Sequence, residues 1–596
     1  MPDTSPAPVS TSADHLDPPT TFAGILRRIG PGMILAGSIV GSGELIATTK
    51  TGAEAGFTLL WLIIIGCIIK VFVQIELGRY SIVSGQTTLA ALNTVPGPRL
   101  AMSWNRFNAQ GNWIVWFWLL MFVASIGQLG GIVGGVGQAL AISLPLTEDG
   151  KRVNQIIDEQ VTLKVKTTQL AILKKSVEQH GSNATDDEKI RAEALDKEIT
   201  LLKPKVAAHA AQAEAQAKFR KTETDLHKLE SALAALSERP SDAHFAQLAQ
   251  LKQDYEKLRN QVADLGAPPT SNDDKYWALI IGVITTIVLT WGRYKLIEIF
   301  SIVMVATFTL VTLGNLLALQ TFHEWSVKAD DLARGLSFGV PAPSVEQKLK
   351  GITPFTTALA AFGIIGVGAS ELMAYPYWCI EKGYAKFTGR NDGSDSWLRR
   401  ARGWVRVMLI DSLASMILYT IATVAFYLLG AAILNRTGLN PSNDEMIRTL
   451  TGMYEPVFGS VAPVLFLVGA FAVLYSTYFS ATAANARQAA DVIPAFGIKP
   501  LDDAQRRRWV RFFSGLFPML CVAIFVVYPN PVTLILLSGV MQALLLPMLG
   551  FAALYYRHKR CDPRLAPGKW WDLLLGISFL AFTVVGVYLT YAKLFA

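Results

Sequence analysis

Two apolar stretches of this chain, each interrupted by glycines and then by one glutamate, decide its fold. Residues 32–52 read GMILAGSIVGSGELIATTKTG, and residues 363–377 read GIIGVGASELMAYPY. Glycine allows a helix to unwind, and a proline such as the one at 376 disrupts the helical hydrogen-bond ladder. We therefore predict two discontinuous helices, the first unwound around Ser42 and Gly43 and the second around Gly368.

Each stretch carries one acid directly after its glycines, Glu44 in the first and Glu371 in the second. A charged side chain in the middle of a bilayer costs roughly 2.5–3.5 kcal/mol on insertion scales, unless it faces a polar cavity. We interpret both glutamates as candidate functional residues. The alternative for Glu44 is a hydrogen bond to a neighbouring helix or a position near the membrane surface.

The rest of the chain is poor in charge. Of its 596 residues 17% are charged, whereas soluble domains carry about 25%. The charge is also uneven, because residues 151–270 hold 19 Lys/Arg and 18 Asp/Glu. The charge-poor remainder excludes a secreted domain, a cytosolic enzyme and a nucleic-acid-binding module. In such a chain the net charge of +8 is explained by basic cytoplasmic loops.

A membrane-spanning helix needs about 20 mostly apolar residues, and the sequence contains eleven such segments. They are 31–54, 57–77, 112–144, 276–291, 296–319, 354–379, 404–434, 457–482, 509–528, 531–555 and 571–593. Lys and Arg concentrate in alternate loops, beginning with the one before span one. The positive-inside rule then predicts a multi-pass protein of the cell (inner) membrane, with a cytoplasmic N-terminus and an extracytoplasmic C-terminus.

These segments divide the chain into four predicted parts. Residues 1–22 are a disordered cytoplasmic tail, 23–144 hold spans one to three, 145–275 form an extracytoplasmic helical insert, and 276–596 hold spans four to eleven. Within the insert, apolar residues recur at steps of three and four from Phe245 to Leu265, which is typical of a coiled-coil seam. We expect two to four long helices, broken at prolines such as Pro204. The insert is either an arm for a protein partner or for self-association, or a tolerated surface insertion.

The two interrupted spans occupy corresponding places five spans apart, which is the pattern of an inverted-repeat transporter with its site where two discontinuous helices meet. Released backbone carbonyls and carboxylates together suit a hard cation. A thioether would favour a softer metal, although Met373 is equally well explained by packing. The candidate metal ligands are Glu44, Glu371, Ser370, Met373 and the backbone at Gly41 and Ala369.

Several motifs give the chain a resemblance to a known family. They are Gly52-Ala53-Glu54-Ala55-Gly56-Phe57, Leu60-Trp61, Gln74, Arg79 and Ile82-Val83-Ser84-Gly85 around spans one and two, and Leu537-Ser538 and Leu546-Pro547 in span ten. With them the chain resembles the natural resistance-associated macrophage protein (Nramp) family of divalent-metal transporters. The resemblance implies an all-α membrane protein with a LeuT-type fold, an eleventh helix and transport by alternating access.

The site motifs depart from those of the family. Its Asp-Pro-Gly-Asn falls on residues 41–44, where the aspartate is missing and a glutamate replaces the asparagine. Its Ala-x-x-Met-Pro-His falls on residues 369–374, where the alanine is kept and the histidine is lost. The acids of span three appear as Gln128 and Gly131, and a glutamine of span ten appears as Gly539. The resemblance therefore implies a familiar scaffold with a rebuilt site, suited to a manganese- or iron-like ion or to magnesium.

The sequence favours a secondary transporter of a divalent metal cation, which is its substrate, with no cofactor and no nucleic-acid partner. One alternative is the same fold carrying a small organic cation or amino acid, stacked on Tyr375, Tyr377 or Trp378. Another is a receptor or sensor whose insert binds a partner. An enzyme is not expected, since the seven histidines form no ligand spacing and the chain has no nucleophile elbow or Walker loop.

Overall fold

The computed structural model describes residues 15–104, 107–180, 186–234, 241–266, 268–291, 294–322, 324–343, 347, 353–441 and 445–594. The start of the predicted tail, to residue 14, and the turn expected at 181–183 lie outside these ranges. From residue 15 onward the predicted tail is packed on the protein. The Trp404 indole donates to the Leu16 carbonyl at 2.9 Å, and Thr21 caps the helix Phe22–Leu26. Residues 15–22 therefore make defined contacts, and the disordered tail stays a prediction.

Ten helices in the described part of the chain are long and apolar enough to cross a membrane. They are Pro31–Ala55, Leu60–Ser84, Trp113–Ser143, Asp273–Trp291, Ile297–Leu319, Asp395–Asn435, Ala462–Ala495, Asp503–Val527, Pro531–Arg560 and Lys569–Ala592. The remaining predicted span, the sixth, is present as two short helices, Pro354–Phe362 and Ala369–Lys382. The predicted all-helical membrane architecture is thus confirmed, with span six interrupted. Spans are numbered one to eleven in chain order.

Span one lies in the interior of the membrane unit. In its most apolar stretch 94% of the residues are buried, whereas the share in span four is 28%. Outward-facing apolar side chains such as Val123, Leu310 and Val527 are more than 60% exposed, as expected for side chains that contact lipid. A polar group in the middle of span one therefore faces other helices and not lipid.

Span one is interrupted, as its glycines predict. The α-helix Pro31–Ile39 ends before Gly41, a π-helical segment runs over Ser42–Thr48, and the α-helix Thr49–Ala55 completes the span. Gly41 lies so close to span eight that a Cβ there would come within 1.9 Å of the Thr477 hydroxyl. This contact explains the need for glycine at the first break.

Span ten packs against the interrupted span six. It packs against spans three and eleven and against both halves of span six. At Gly363 the two backbones meet, since a Cβ on this residue would come within 1.9 Å of the Gly539 carbonyl oxygen. The glycine that occupies the place of a family glutamine therefore serves close packing.

Short elements connect the spans. A two-stranded antiparallel hairpin, β1 (Arg99–Trp104) and β2 (Phe107–Asn112), lies between spans two and three, and it was not predicted from the sequence. It is tied to the end of span eight by a hydrogen bond from Gln110 N to Phe496 O of 2.9 Å. The short helices are Thr88–Leu92, Ala329–Gly335, Tyr384–Thr388, Met446–Thr451 and Glu455–Phe458.

Residues Leu144–Asp273 form a separate compact unit of three long helices. The helices are Glu148–His180, Asp186–Ala234 and Asp242–Leu265, and the middle one packs against both others. The middle helix runs through Pro204, so the break expected there is wrong. The three-helix unit has a small interior, with Val165, Leu173 and Ala215 among its buried side chains. That the three helices form a coiled coil stays a prediction.

Both ends of this unit meet at one carboxylate. Asp273 accepts hydrogen bonds from the backbone N–H of Leu146 at 2.7 Å and of Thr147 at 3.1 Å. The Thr147 hydroxyl donates to the same carboxylate at 2.9 Å. The chain therefore enters and leaves the three-helix unit at a single point, which a short turn can close.

We expect a chain that lacks residues 151–270 to fold, because the segments that enter and leave the three-helix unit are already joined through hydrogen bonds to Asp273. Its thermal midpoint in detergent should lie within roughly 3 °C of that of the full chain, since the deleted residues belong to a separate compact unit. The matched control removes residues 186–234 alone, which leaves the two outer helices without the helix they pack on. Aggregation of the shorter chain, with the control unaffected, would contradict this expectation.

Candidate cation site

The break in span six releases backbone groups that other residues then satisfy. Its first half ends at Phe362, its second half begins after Gly368, and Gly366 between them has φ of +56°, a conformation that favours glycine. The Lys70 ammonium of span two donates to the carbonyl oxygens of Phe362 and Ile365, the latter at 2.6 Å. A buried lysine that the sequence reasoning did not single out therefore caps the first half-helix.

Glu44 joins the two breaks. Its side chain is fully buried, and its Oε1 accepts hydrogen bonds from the Gly366 N–H at 2.9 Å and from the Thr423 hydroxyl at 3.1 Å. Its Oε2 is buried without a hydrogen-bond partner among the described residues. The glutamate of span one thus binds the unwound backbone of span six and keeps one oxygen available.

Glu371 lies in the first turn of the second half-helix, where the helix dipole favours a negative charge. Its Oε2 accepts from the Ser370 hydroxyl at 2.8 Å. The same hydroxyl lies 3.0 Å from Gln542 Oε1, which also accepts from the Ser370 N–H at 3.0 Å. Ser370 therefore connects this carboxylate to span ten.

An amide network continues from Gln542 across the protein. Its Nε2 donates to Gln128 Oε1 at 2.7 Å, and the Ser538 hydroxyl donates to the same oxygen at 2.9 Å. Gln128 Nε2 in turn donates to the Ser42 hydroxyl at 3.0 Å. Four spans, one, three, six and ten, therefore meet through neutral polar groups beside Glu371.

A small cavity borders this network. Its volume is about 20 Å³, which is space for one or two water-sized particles. The polar residues of its wall are Ser38, Ser125, Gln128, Ser370, Glu371, Thr477 and Asn485. The other lining residues are Leu35, Leu129, Ile132, Ala374, Trp378, Ala481 and Ala484. The wall thus offers oxygen and amide ligands and no sulfur.

The backbone carbonyls of the predicted ligand Gly41 and of two predicted unwound residues, Gly43 and Gly368, already have partners. The carbonyl of Gly41 accepts from Leu45 N at 2.8 Å, that of Gly43 from the Thr48 hydroxyl at 2.9 Å, and that of Gly368 from Leu372 N at 2.9 Å. A carbonyl oxygen has two lone pairs, so each retains one for a further ligand.

The remaining predicted ligands divide between two places. Ser370 and Glu371 line the cavity, whereas Glu44, Gly41 and Met373 are not among its lining residues. Ala369, the first residue of the second half-helix, and Met373 are both fully buried. Within the described ranges no group of three or more His, Cys, Asp or Glu is placed to hold a metal. A cation site here therefore depends on one or two carboxylates with neutral oxygens around them.

Sequence reasoning missed Lys70, Thr423, Asn485 and Gln542. Each is a polar residue in an otherwise apolar segment, and such residues in a membrane span indicate function or helix contact by default. Lys70 was the most visible, because it follows the run LIIIGCII. Gln542 was missed because Gly539 occupied the place expected for a glutamine, and the amide lies about one turn further along the helix.

The model of one protein family matches residues 270–592, which is more than half of the chain. Its description is "Natural resistance-associated macrophage protein-like". The chain belongs to the Nramp family. The matched region holds spans four to eleven of this Nramp-family chain, including Glu371 and Gln542 but not Glu44.

Solved structures agree on the fold. Three crystal structures of mutants of the Eremococcus coleocola manganese transporter superpose with a TM-score of 0.53 at 14% identity, covering 98% of this chain and 90% of that chain. The structure of MhsT in complex with L-phenylalanine gives a TM-score of 0.44 at 12% identity, covering 96% and 99%. No curated protein sequence matches. The fold that the resemblance implied is confirmed by the manganese transporter structures, whose TM-score exceeds 0.5.

Replacing Gln542 by leucine should destabilise this Nramp-family chain. The change leaves the Ser370 N–H and Gln128 Oε1 without an amide partner in a buried place. Since each hydrogen bond contributes about 1 kcal/mol, we expect the free energy of unfolding to fall by about 2–4 kcal/mol. Thermal melting of the purified protein measures this, with Ser538→Ala as the milder variant that keeps the contacts to Ser370. Equal melting of Gln542→Leu and wild type would contradict the network.

Proposed function

We propose that this protein is a secondary transporter that moves a divalent metal cation across a membrane by alternating access. The observation that carries the proposal is the ion-sized cavity beside Glu371, at the break of span six, in a chain that belongs to the Nramp family. A fully buried second carboxylate, Glu44, binds the same break from span one. Carboxylate and neutral oxygen atoms are the ligands that hard divalent cations prefer.

The lining of the cavity favours a hard ion. Its polar groups are the Glu371 carboxylate, four hydroxyls and two amides. The hydroxyls belong to Ser38, Ser125, Ser370 and Thr477, and the amides to Gln128 and Asn485. Met373, whose thioether would select a softer metal, is not in the wall. We therefore propose magnesium or manganese as the transported ion, ahead of a thiophilic ion such as cadmium. The ion is cargo, and no resident cofactor is proposed.

The same cavity argues against an organic substrate. A volume of about 20 Å³ holds an ion and not an amino acid or an organic cation. Of the three aromatic residues considered for stacking, Trp378 lines the cavity and the tyrosines at 375 and 377 do not. Tyr375 instead accepts from the Ser412 hydroxyl at 2.9 Å.

Alternating access requires the start of span one to move. Asp411 of span seven accepts hydrogen bonds from the N–H groups of Gly30 and Gly32, at 3.0 and 2.6 Å. These bonds satisfy orphan donors at the N-terminus of the first half-helix. In the proposed mechanism a cation enters from the extracytoplasmic side and reaches Glu371. Breaking the Asp411 contacts then opens the site toward the cytoplasm.

Neutralising the carboxylates tests the proposed site. We expect Glu371→Gln in liposomes to lower manganese and magnesium uptake about tenfold or more, because the cation loses a charged ligand. A tenfold change corresponds to about 1.4 kcal/mol. Glu44→Gln should have a smaller effect, since an amide oxygen can still accept from Gly366. Glu256→Gln, an exposed change in the three-helix unit, is the control. Unchanged uptake in both site variants would rule out the carboxylate site.

The proposed orientation places the N-terminus and the loops after spans six, eight and ten in the cytoplasm, and the insert and the C-terminus outside. Single cysteines on a background without exposed thiols test it. We expect an impermeant maleimide applied to intact cells to label a cysteine at Glu256 and not one at Asp392. Labelling in the reverse order would invert the topology. The insert as a surface for a partner or for self-association stays a proposal within this topology.

A further inference from the structure

The ammonium of Lys70 lies where the interrupted helix of span six exposes its negative end. Lys70 is fully buried in span two, and its Nζ also lies 4.6 Å from the centroid of the Phe362 ring. The unwound backbone packs directly against the same face of span two. A Cβ at Gly66 would meet the Ile365 and Phe362 side chains at 3.1 Å, and a Cβ at Gly366 would meet the Cys67 backbone at 3.0 Å.

The carbonyl oxygens at the C-terminal end of the first half-helix accept hydrogen bonds from two kinds of donor. The Ala360 and Ala361 oxygens accept from the N–H groups of residues 363–365 in tightened turns. The oxygens of Phe362 and Ile365 accept from the Lys70 ammonium. The C-terminal end of a helix carries a partial negative charge, so a cation is favoured there. These two carbonyls would otherwise be buried and unpaired, which is costly inside a membrane.

One peptide group links this lysine to Glu44. The Ile365 carbonyl accepts from Lys70, and the Gly366 N–H of the same peptide unit donates to Glu44 Oε1. Both Glu44 and Glu371 lie within electrostatic range of the ammonium. The Lys70 ammonium therefore lies near two carboxylates, but it binds the carbonyls and does not line the cavity.

We propose that the carbonyl oxygens of Phe362 and Ile365 form a site for a small monovalent cation, and that the Lys70 ammonium permanently occupies this site. The proposal goes beyond the proposed transport function. It assigns the break of span six to a permanent cation and leaves the cavity at Glu371 to the transported one. The wild-type protein accordingly needs no sodium or potassium ion at this break.

Removing the ammonium and then restoring it from solution tests this assignment. Lys70→Ala deletes three carbons and the nitrogen, which together have the shape of n-propylammonium. Lys70→Met removes the charge but keeps the space filled. We expect both variants to melt roughly 5–10 °C below wild type, because two buried carbonyl oxygens have lost their hydrogen-bond donor. Added n-propylammonium should recover about half of that loss in Lys70→Ala and none in Lys70→Met, since only the alanine variant has room.

A neutral probe separates charge from shape. n-Propanol fits the same space without a charge, so it should leave the melting of Lys70→Ala unchanged. Equal stabilisation by the alcohol and by the amine, no response to the amine in folded Lys70→Ala, or wild-type melting of both variants would each overturn the proposal. These measurements contain no transported metal, so they remain informative even when metal uptake fails.

The wild-type protein supplies a second test, which holds even where Lys70→Ala does not fold. Because the ammonium already fills the carbonyl site, manganese binding measured by calorimetry should be equal, within about twofold, in sodium and in choline buffers of the same ionic strength. A gain in manganese affinity that depends on sodium would place a mobile monovalent cation at the break and overturn the assignment to Lys70.

Discussion

Backbone groups released inside a membrane must find new hydrogen-bond partners, and this requirement organises the centre of the protein. No water in the hydrocarbon region can satisfy them, so unwound backbone persists only where protein groups or a polar cavity surround it. The break of span six meets the requirement with side chains from other spans, chiefly Lys70 from span two and Glu44 from span one. The position of span one in the interior results from this need.

Glu44 and Glu371 have similar sequence contexts but different contacts in the structure. Glu44 is fully buried and bonded to backbone, whereas Glu371 borders the cavity and is linked by Ser370 to the amides of Gln542 and Gln128. One carboxylate therefore shapes the break and the other faces the space where an ion fits. Neutral amides suit the second role, because they orient the carboxylate without adding a competing charge.

Much of this arrangement could be predicted from sequence, because apolar length and glycine interruptions are local properties. Eleven spans, two of them broken, and the acids after each break are read from such patterns. The partners of those acids could not be predicted, since Lys70, Thr423 and Gln542 reach the breaks from distant spans. The continuous helix through Pro204 was missed for a related reason, because contacts outside the segment outweigh local propensity there.

The single carboxylate that joins the two ends of the three-helix unit has a practical consequence. Asp273 brings the chain back to Thr147 after about 125 residues, so the length between them is free to change without stretching the connection. We expect such a point to accept a foreign rigid domain in place of the native helices. A fusion made there would give a small membrane protein the extra mass that particle alignment in electron cryomicroscopy needs. The hydrogen bonds to Asp273 would be kept in such a fusion.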